Sequence, residues 1–192
     1  INTTAVHPPI FVFVVDTCST EKEHQALKDL LLQTMATLPQ NSLVGFISFG
    51  SLIYLHELQS SNFPRSYVFS GNKTYSVPEL IQMLSIQPQN VEDATNPFIL
   101  TIDDAELMLN NVIDKFEPDS YQPPNGERKL RCTGAAVHLA TMLIQSLYPQ
   151  TGGQILVLTS GPITKGPGTM APLQKSEPVR QHADIEKGKA AL

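Results

Sequence analysis

The feature that most constrains the fold is an unbroken apolar run near the start of the chain, "IFVFVV" at 10–15. Its β-branched and aromatic residues do not alternate with polar ones, so a strand built from them has to be buried on both faces. Two later stretches, "LVGFISFG" (43–50) and "GGQILVLTSG" (152–161), have the same character. Strands of this kind are typical of a parallel sheet covered by helices, and the sequence therefore predicts an α/β fold.

Stretches with apolar residues at helical spacing lie between these strands and predict the covering helices. Helices are predicted after Thr20, after Ser76, over 101–116 and over 133–148. The first two begin with a capping box, in which a Ser or Thr is followed three residues later by a Glu that bonds its backbone amide. Because a helix separates successive buried strands, we expect an open, Rossmann-like sheet that is mostly parallel.

The remaining stretches are predicted as an edge strand and loops. The run "SLIYLHEL" (51–58) follows the second strand after only a Gly-Ser step, which permits only antiparallel pairing and indicates an edge strand. Such an edge needs cover from the chain itself or from a partner. A β-like "SYVFSG" (66–71) comes next. The polar, proline-bounded segment 87–97 is predicted as a surface loop or insert, and the tail 162–192 as a loop followed by a helix start near Pro178.

Composition excludes several classes of function. The chain has 192 residues and a net charge of −5, which disfavours a nucleic-acid binder or a strongly basic membrane-binding face. Two cysteines, Cys18 and Cys132, are too few for a disulfide framework or a cysteine-rich zinc site and suit a reducing compartment. The longest apolar run is far shorter than the roughly 18 to 20 residues that a membrane-spanning helix needs.

Several stretches resemble known domains. "DTCST" after the first strand, "CTGAAVHLA" and "ILVLTSG" resemble a von Willebrand factor A-type domain. The stretches "PPIFVFVVDTC", "QALKDLL", "LVGFISFG", "HELQSSNFPRSYVFSGNK", "GPITKGPG" and "EPVRQHADIEK" are similar to the trunk domain of the GTPase-activating inner-coat subunit of COPII, the Sec twenty-three family. The resemblance runs from about Pro8 to Lys187.

This resemblance implies a cytoplasmic coat subunit, peripheral to the endoplasmic reticulum membrane, that acts in ER-to-Golgi vesicle budding. The family pairs with a cargo-binding sister subunit (Sec twenty-four), stimulates hydrolysis by the Sar GTPase, and reaches outer-coat subunits through the full-length protein. Its structural zinc lies in another module, so no cofactor and no nucleic-acid partner are expected here. A complete trunk domain adds at least two parallel strands after residue 161, so we expect 1–192 to be a partial trunk domain, incomplete at its C-terminal side.

The family's arginine finger also belongs to other modules. No arginine here matches it by motif, whether Arg65, Arg128, Arg131 or Arg180. We therefore assign no catalytic residue and do not expect an enzyme. Two alternatives stay open: a metal-dependent A-type ligand-binding domain, and the cargo-binding sister subunit, which shares the trunk fold.

The alternative of an A-type metal site can be tested directly by comparing its ligand pattern with the residues of this sequence. Such sites use D-x-S-x-S, a threonine from a second loop and an aspartate from a third, all hard oxygen ligands for magnesium. Asp16 is present, but Cys18 replaces the first hydroxyl, and Thr20 is explained by its capping box. Thr133 could serve from the second loop or be a helix N-cap, and Ser160 and Gly161 stand where the third-loop acid is expected. We predict no metal site, with Asp16 bonding loop amides and Cys18 buried as a small apolar residue.

The sequence contains no recognised motif for phosphate binding or for catalysis. "GPITKGPG" (161–168) is glycine-rich but lacks both phosphate-loop patterns, and its prolines remove amide donors, so a shaped rigid loop is predicted. The histidines are His7, His24, His56, His138 and His182, and none lies in a zinc or nucleophile motif. His138 is predicted to be a satisfied, partly buried residue, and His182 to anchor a polar network in the tail. Only Arg131 lies beside Cys132 to lower the pKa of that thiol.

Overall fold

The apolar run at the start of the chain forms an interior strand of an open sheet in the computed structural model, which describes residues 8–59, 63–86, 96–179 and 181–187. The strands are β1 (Ile10–Asp16), β2 (Leu43–Phe49), β3 (Leu52–His56), β4 (Ser66–Ser70), β5 (Ile99–Thr101) and β6 (Gln154–Leu158). The helices are α1 (Glu21–Thr37), α2 (Val77–Leu84), α3 (Ile102–Asp114), α4 (Thr133–Leu147) and α5 (His182–Glu186).

The six-stranded sheet has the order β4-β3-β2-β1-β6, with β5 paired to the first residues of β2. β1 runs parallel to both β2 and β6, whereas β3, β4 and β5 pair in antiparallel fashion. The predicted open α/β sheet is confirmed, but its antiparallel part is larger than the one edge strand predicted. β5 escaped prediction because three residues carry too little periodicity to identify a strand.

The strand predicted over 51–58 is antiparallel as expected, but the prediction that it is an edge strand is wrong. β3 lies between β2 and β4, so its cover comes from the chain itself. Ile53 pairs with Phe69 of β4, and both side chains are fully buried on one face of the sheet. The hairpin that joins β3 to β4 therefore moves the edge outward by one strand, to Ser66–Ser70.

β6 ends the other side of the sheet within the described residues. Its unbroken apolar pattern predicts a buried strand, yet most of β6 is only half-buried and Val157 is 41% exposed. The pattern indicates burial on both faces, and the described residues supply cover for only part of that surface.

Helices cover both faces of the sheet and divide the core into two clusters. One cluster lies under α2 and α4 and includes Val12, Val14, Ile47, Leu139 and Leu143. The other lies under α1 and α3 and includes Phe13, Val15, Phe46, Leu109 and Ile113. Alternate residues of β1 thus enter opposite clusters, which explains why this strand shows no polar positions.

The predicted surface loop 87–97 lies mostly outside the described residues, and its described end is not on the surface. Asn96 is buried, and its side chain holds the entry to β5 and the end of α4. Nδ2 donates to the Ile99 carbonyl at 3.0 Å and to the Tyr148 hydroxyl at 3.1 Å, while Oδ1 accepts from the amides of Phe98 and Ile99 at 3.0 and 2.7 Å. A polar side chain with this many partners replaces the backbone pairing that the short β5 lacks.

Both predicted capping boxes form. The amide of Thr20 donates to the Glu23 carboxylate at 2.8 Å, and the amide of Ser76 donates to Glu79 at the same distance. The tail helix α5 begins at His182, a few residues later than predicted. Among the helices of the described residues, none has the length and apolar character needed to cross a membrane.

Substitution of Asn96 by alanine should destabilise the fold strongly. It leaves the buried amides of Phe98 and Ile99 without the side-chain oxygen that accepts from them, at a cost of about 1–3 kcal/mol for each unsatisfied group. We expect urea unfolding to show a loss of at least about 2 kcal/mol. The control Asn110→Ala, on the exposed face of α3, should stay within about 0.5 kcal/mol of the parent. Equal effects of the two substitutions would contradict the role given to Asn96.

Candidate functional site

Asp16 lies at the carboxyl-terminal end of β1, between the ends of the two strands that pair with β1. β2 lies on one side of β1 and β6 on the other, and ligand sites of open α/β sheets form in such a crevice. Asp16 is buried here. Its Oδ1 accepts the amide of Cys18 at 2.7 Å, and its Oδ2 accepts the amide of Ser160 at 2.9 Å. The prediction that this carboxylate bonds loop amides is confirmed.

A buried arginine places a positive charge at the same carboxylate. Nε of Arg131 donates to Oδ2 of Asp16 at 2.6 Å, and Nη2 donates to the Ser160 hydroxyl oxygen at 3.0 Å. The Ser160 hydroxyl in turn donates to Oδ2 of Asp16 at 2.9 Å. The backbone amide of Arg131 donates to the Thr164 hydroxyl oxygen at 2.8 Å, which fixes the residue from which the side chain extends. A guanidinium thus stands beside Asp16, where metal-dependent A-type domains hold a divalent cation.

The ionised form of Asp16 is favoured in spite of burial. Burial raises the pKa of this carboxyl group, but the amide of Ser160, the charge of Arg131 and the amide of Cys18 outweigh it, and the net shift is downward. The side chains of Asp16 and Arg131 are 2% and 8% exposed. The pair is therefore a buried salt bridge whose remaining lone pairs and protons are hydrogen-bonded, the arrangement that makes such a pair tolerable in a protein interior.

Gly161 leaves the space that Arg131 occupies. A Cβ atom at this position would lie 2.7 Å from Nη1 of Arg131, closer than real Cβ contacts. The sequence marks Ser160 and Gly161 as positions where a third-loop acid is missing. Their roles are now clear, since Ser160 bridges the two charged groups and Gly161 makes room for the guanidinium.

The other predicted metal-site residues are engaged elsewhere. The Cys18 thiol donates to the Leu130 carbonyl at 3.4 Å, and burial raises its pKa to about 12, so it remains protonated. Thr20 is exposed and belongs to its capping box. The alternative that Thr133 is a helix N-cap is wrong, because Cys132 holds that position and Thr133 is the first residue of α4. Its buried hydroxyl has no hydrogen-bond partner within the described part of the chain. This donor set, with its one carboxylate already paired to a cation, does not fit a divalent metal.

The glycine-rich loop 161–168 is packed against the turn between β2 and β3 and against the residues that follow β4. Nζ of Lys165 donates to the Ser51 carbonyl at 2.7 Å. Gly166 has a φ of +75°, and a Cβ there would lie 1.9 Å from the carbonyl oxygen of Gly71. These contacts give the loop a fixed shape, as predicted, and direct its lysine into the protein.

Two of the histidines serve as packing and hydrogen-bonding groups. His24 is buried, with its ring stacked on Phe116 at 4.4 Å between centroids and its Nε2 2.7 Å from the Phe116 carbonyl oxygen. Nε2 of His138 lies 3.1 Å from the carbonyl oxygen of Tyr75, which confirms the prediction of a satisfied, partly buried histidine. His7 lies outside the described residues. In the tail, exposed His182 pairs with Glu186 at 3.3 Å.

His56 lines a cavity of about 370 Å³ between the sheet and the end of α3. Its Nε2 lies 2.8 Å from the Ser48 hydroxyl oxygen, and burial lowers its pKa to about 4. The ring is therefore neutral at pH 7 and a weak base, and Ser48 sits within β2 rather than on an exposed turn. The geometry supports a structural hydrogen bond and does not activate a nucleophile.

Arg65 and Arg128 are held by contacts within the chain, and the second cysteine is buried. Arg65 pairs with Glu57, with Nε 2.9 Å from Oε2. Arg128 donates to the carbonyls of Pro172 at 2.8 Å and Glu177 at 3.0 Å. Arg180 lies outside the described residues. Cys132 is fully buried, and burial raises the pKa of its thiol to about 12.

The Asp16–Arg131 pair is the feature that sequence reasoning missed. The two residues are 115 positions apart, and no spacing rule connects them. The sequence offered only a partial signal, an arginine just before the apolar helix predicted over 133–148.

Substitution of both members of this pair should cost less than the sum of the two single substitutions. Asp16→Asn leaves the Arg131 charge buried without its carboxylate, and removal of one partner of a buried pair typically costs about 3–5 kcal/mol. Arg131→Met leaves the carboxylate unpaired in the same way. We expect the double variant to be less destabilised in urea than the sum of the two single variants, with a coupling of at least about 1 kcal/mol.

Two controls accompany this cycle. Lys73→Met, which breaks an exposed pair with Glu79, should cost less than about 1 kcal/mol. Magnesium should not change the melting temperature of the parent chain, because ligands stabilise only through binding to the folded state. Additive effects of the two single variants, or a magnesium-dependent rise that Asp16→Ala abolishes, would contradict the assignment.

The half-buried His56 should make the fold less stable as the pH falls from about 6.5 to about 4. Its pKa is about 4 in the folded chain and 6.5 in a free peptide, so the unfolded chain gains a proton first and unfolding becomes easier. The loss is on the order of 2 kcal/mol. His56→Gln, which retains a hydrogen-bonding group but no titration, should flatten the pH dependence of the free energy of unfolding, whereas His182→Gln at the exposed tail should not. An unchanged slope in His56→Gln would refute this.

Comparison with known proteins accounts for this architecture. The family model of the Sec23/Sec24 trunk domain matches residues 6–192. Among solved structures, the crystal structure of the human COPII-coat protein Sec24c is similar, with a TM-score of 0.52 and 14% sequence identity. That similarity covers 86% of this chain and 21% of the Sec24c chain, and at such identity it concerns the fold alone. The family model covers nearly the whole sequence, and the chain therefore belongs to the Sec23/Sec24 trunk domain family.

Proposed function

We propose that this chain is a scaffold segment of a COPII vesicle-coat subunit of the Sec23 branch. In that role it pairs with the cargo-binding sister subunit and docks the Sar GTPase during ER-to-Golgi transport. The observation that carries the proposal is the trunk-domain match over residues 6–192. The full subunit would act in the cytoplasm, peripheral to the endoplasmic reticulum membrane, and reach outer-coat subunits through its other modules, where its structural zinc also lies.

The polar groups around Asp16, at the carboxyl-terminal end of β1, support a scaffold rather than an enzyme. Asp16, the strongest candidate for chemistry, is neutralised by Arg131 and bonded to two loops. The thiols of Cys18 and Cys132 are protonated. His24 and His138 each lie within hydrogen-bond distance of a backbone carbonyl and of no nucleophile that they could activate. These contacts hold the loops after β1 and β6 at fixed positions, which is what a rigid docking surface requires.

The contacts of the arginines support the proposal that the arginine finger comes from another module of the full subunit. An arginine finger has to reach a nucleotide on another protein, so its guanidinium must be free to leave its own surface. Arg131 is buried, Arg128 is held by backbone carbonyls and Arg65 is paired with buried Glu57. We therefore propose that this segment orients the GTPase while an arginine from elsewhere in the full subunit stabilises the transition state.

The choice between the two branches of the family rests on sequence stretches. "PPIFVFVVDTC" and "GPITKGPG" favour the GTPase-activating branch. The family model includes both branches, so the cargo-binding branch is the second candidate.

GTP hydrolysis by Sar tests the proposal. We expect the complete coat subunit that contains this chain to accelerate hydrolysis of Sar-bound GTP, and the 192-residue chain alone to leave the rate unchanged. The measurement is single-turnover phosphate release at equal concentrations of the two proteins. Acceleration by the chain alone would show that it contains an arginine finger, and no acceleration by either protein would exclude the GTPase-activating role.

Pull-down experiments separate the two branches. The complete subunit should capture Sar loaded with a non-hydrolysable GTP analogue and the cargo-binding subunit. Capture of another GTPase-activating subunit, without capture of Sar, would assign the chain to the cargo-binding branch.

A further inference from the structure

A groove of about 340 Å³ lies between the end of α1 and the beginning of α3. The two helices run in opposite directions. At one end of the pair, His24 near the start of α1 stacks on Phe116, just after α3. The last residues of α1 and the first residues of α3 line the groove at the other end. The groove is therefore separate from Asp16, from Arg131 and from the cavity beside His56.

The floor of the groove is apolar. Met35 and Leu109 are buried at its bottom, Leu38 and Ile102 are half-buried, and Leu32 is 43% exposed. Met35 and Leu109 belong to the core cluster under α1 and α3, and Leu38 and Ile102 pack against that cluster. The core thus continues to the surface here, and a partner that covers this floor would remove further apolar area from water, which is favourable.

The charged side chains that line the groove are all acidic. They are Asp103 and Glu106, which are both exposed, and the lining contains no lysine or arginine. Within the described residues, neither carboxylate takes part in an ion pair. The chain has no lysine or arginine at 29–64 or at 96–114, the two stretches from which the groove is built. The groove therefore has a negative potential that no neighbouring side chain on these helices neutralises.

The ends of the two helices explain only part of this charge. Asp103 and Asp104 lie in the first turn of α3, where the helix dipole favours acidic residues. Glu106 lies beyond that turn, where the effect of the dipole has faded. At the same end of the pair, α1 finishes with no basic residue in its last turn, so its final carbonyls add partial negative charge. Helix stability thus accounts for Asp103 but not for Glu106 or for the lack of a cation.

We propose that this groove binds a short basic amphipathic helix of a partner protein. A leucine or other large aliphatic side chain of the partner lies on the apolar floor, and an arginine or lysine one helical turn away pairs with Asp103 and Glu106. The inference rests on the groove and its charges, and it does not depend on the proposed coat function.

A helix suits the shape of the groove. The stretch of α1 that lines it, from Leu32 to Leu38, spans about 9 Å, or about two helical turns. The side chains of a third helix can pack between those of two neighbouring helices, and such helices are recognised through anchors three or four residues apart. Two turns hold one apolar anchor and one cationic anchor at this spacing.

The apolar and the charged parts of the groove have different effects on binding. Burial of the aliphatic anchor supplies most of the affinity, because the apolar floor loses its contact with water. The exposed carboxylates attract a basic helix and reject an acidic one, so they contribute chiefly to specificity and to the rate of association. The partner segment therefore needs both features on one face.

Fluorescence anisotropy with designed peptides tests the proposal. The probe is a labelled helical peptide of alanine, leucine and arginine, with leucine and arginine one turn apart on one face. It should bind the parent chain at physiological ionic strength. A peptide with glutamate in place of arginine, and a peptide of the same composition with leucine and arginine on opposite faces, should each bind about tenfold more weakly. Equal binding of the rearranged peptide would show unspecific attraction to an acidic chain and would overturn the proposal.

Charge-matched variants locate the contact. The double substitution Asp103→Asn with Glu106→Gln should weaken binding of the probe about tenfold, because it removes both carboxylates that would face the cation. The control, Glu21→Gln with Asp114→Asn, changes the net charge equally on the same two helices but outside the groove. It should leave the affinity within about twofold of the parent. Equal losses in the two double variants would overturn the proposal.

A second pair of variants tests the apolar floor. Leu32→Gln should weaken binding about fivefold, because Leu32 lines the groove. Leu107→Gln is the control, since Leu107 is an apolar residue of α3 that is 67% exposed and does not line the groove. It should leave binding unchanged, and thermal melts should show that all variants fold. A parent chain that does not bind the probe, or a loss in Leu107→Gln that equals the loss in Leu32→Gln, overturns the proposal.

Discussion

The buried salt bridge between Asp16 and Arg131 connects three segments: the end of β1, the residues just before α4 and the loop after β6. Asp16 ends β1, Arg131 immediately precedes Cys132 and α4, and Ser160 follows the neighbouring strand β6. One carboxylate and one guanidinium therefore fix three loops with respect to each other. The cost of burying two charges is offset only because nearly every donor and acceptor around them has a partner.

This internal cation also explains how an A-type fold can exist here without a metal-binding pattern. The carboxylate at the end of β1 requires a positive charge wherever it is buried, whether from a metal or from a side chain. In this chain, Gly161 leaves space and Ser160 supplies the bridging hydroxyl. Side chains of the described residues thereby fix the loops after β1 and β6 relative to each other, a property that suits a scaffold whose surfaces must keep their relative positions.

Local patterns predicted the elements well where the physical cause is local. The capping boxes at Thr20 and Ser76 form because the bonding groups are three residues apart, and the run at 10–15 forms a strand covered on both sides because both of its faces are apolar. Predictions failed where the outcome depends on contacts outside the segment itself. β3 gains its cover by pairing with β4, and Asn96 bonds Tyr148, which lies 52 positions away. The N-cap of α4 is displaced by one residue, from Thr133 to Cys132, a shift that local patterns do not resolve.

By itself the sequence determined the fold class, the family resemblance and the lack of an acid at 160 and 161, because apolar periodicity and residue type act within each segment. Only the tertiary structure decided which charge neutralises Asp16 and which strand forms the sheet's edge. The first depends on a contact between residues 115 positions apart, and the second on the pairing of β3 with β4, which neither segment shows by itself. Chain folding alone brings such groups together, and no local rule encodes that a guanidinium, rather than a metal, occupies the space beside the strand-end carboxylate.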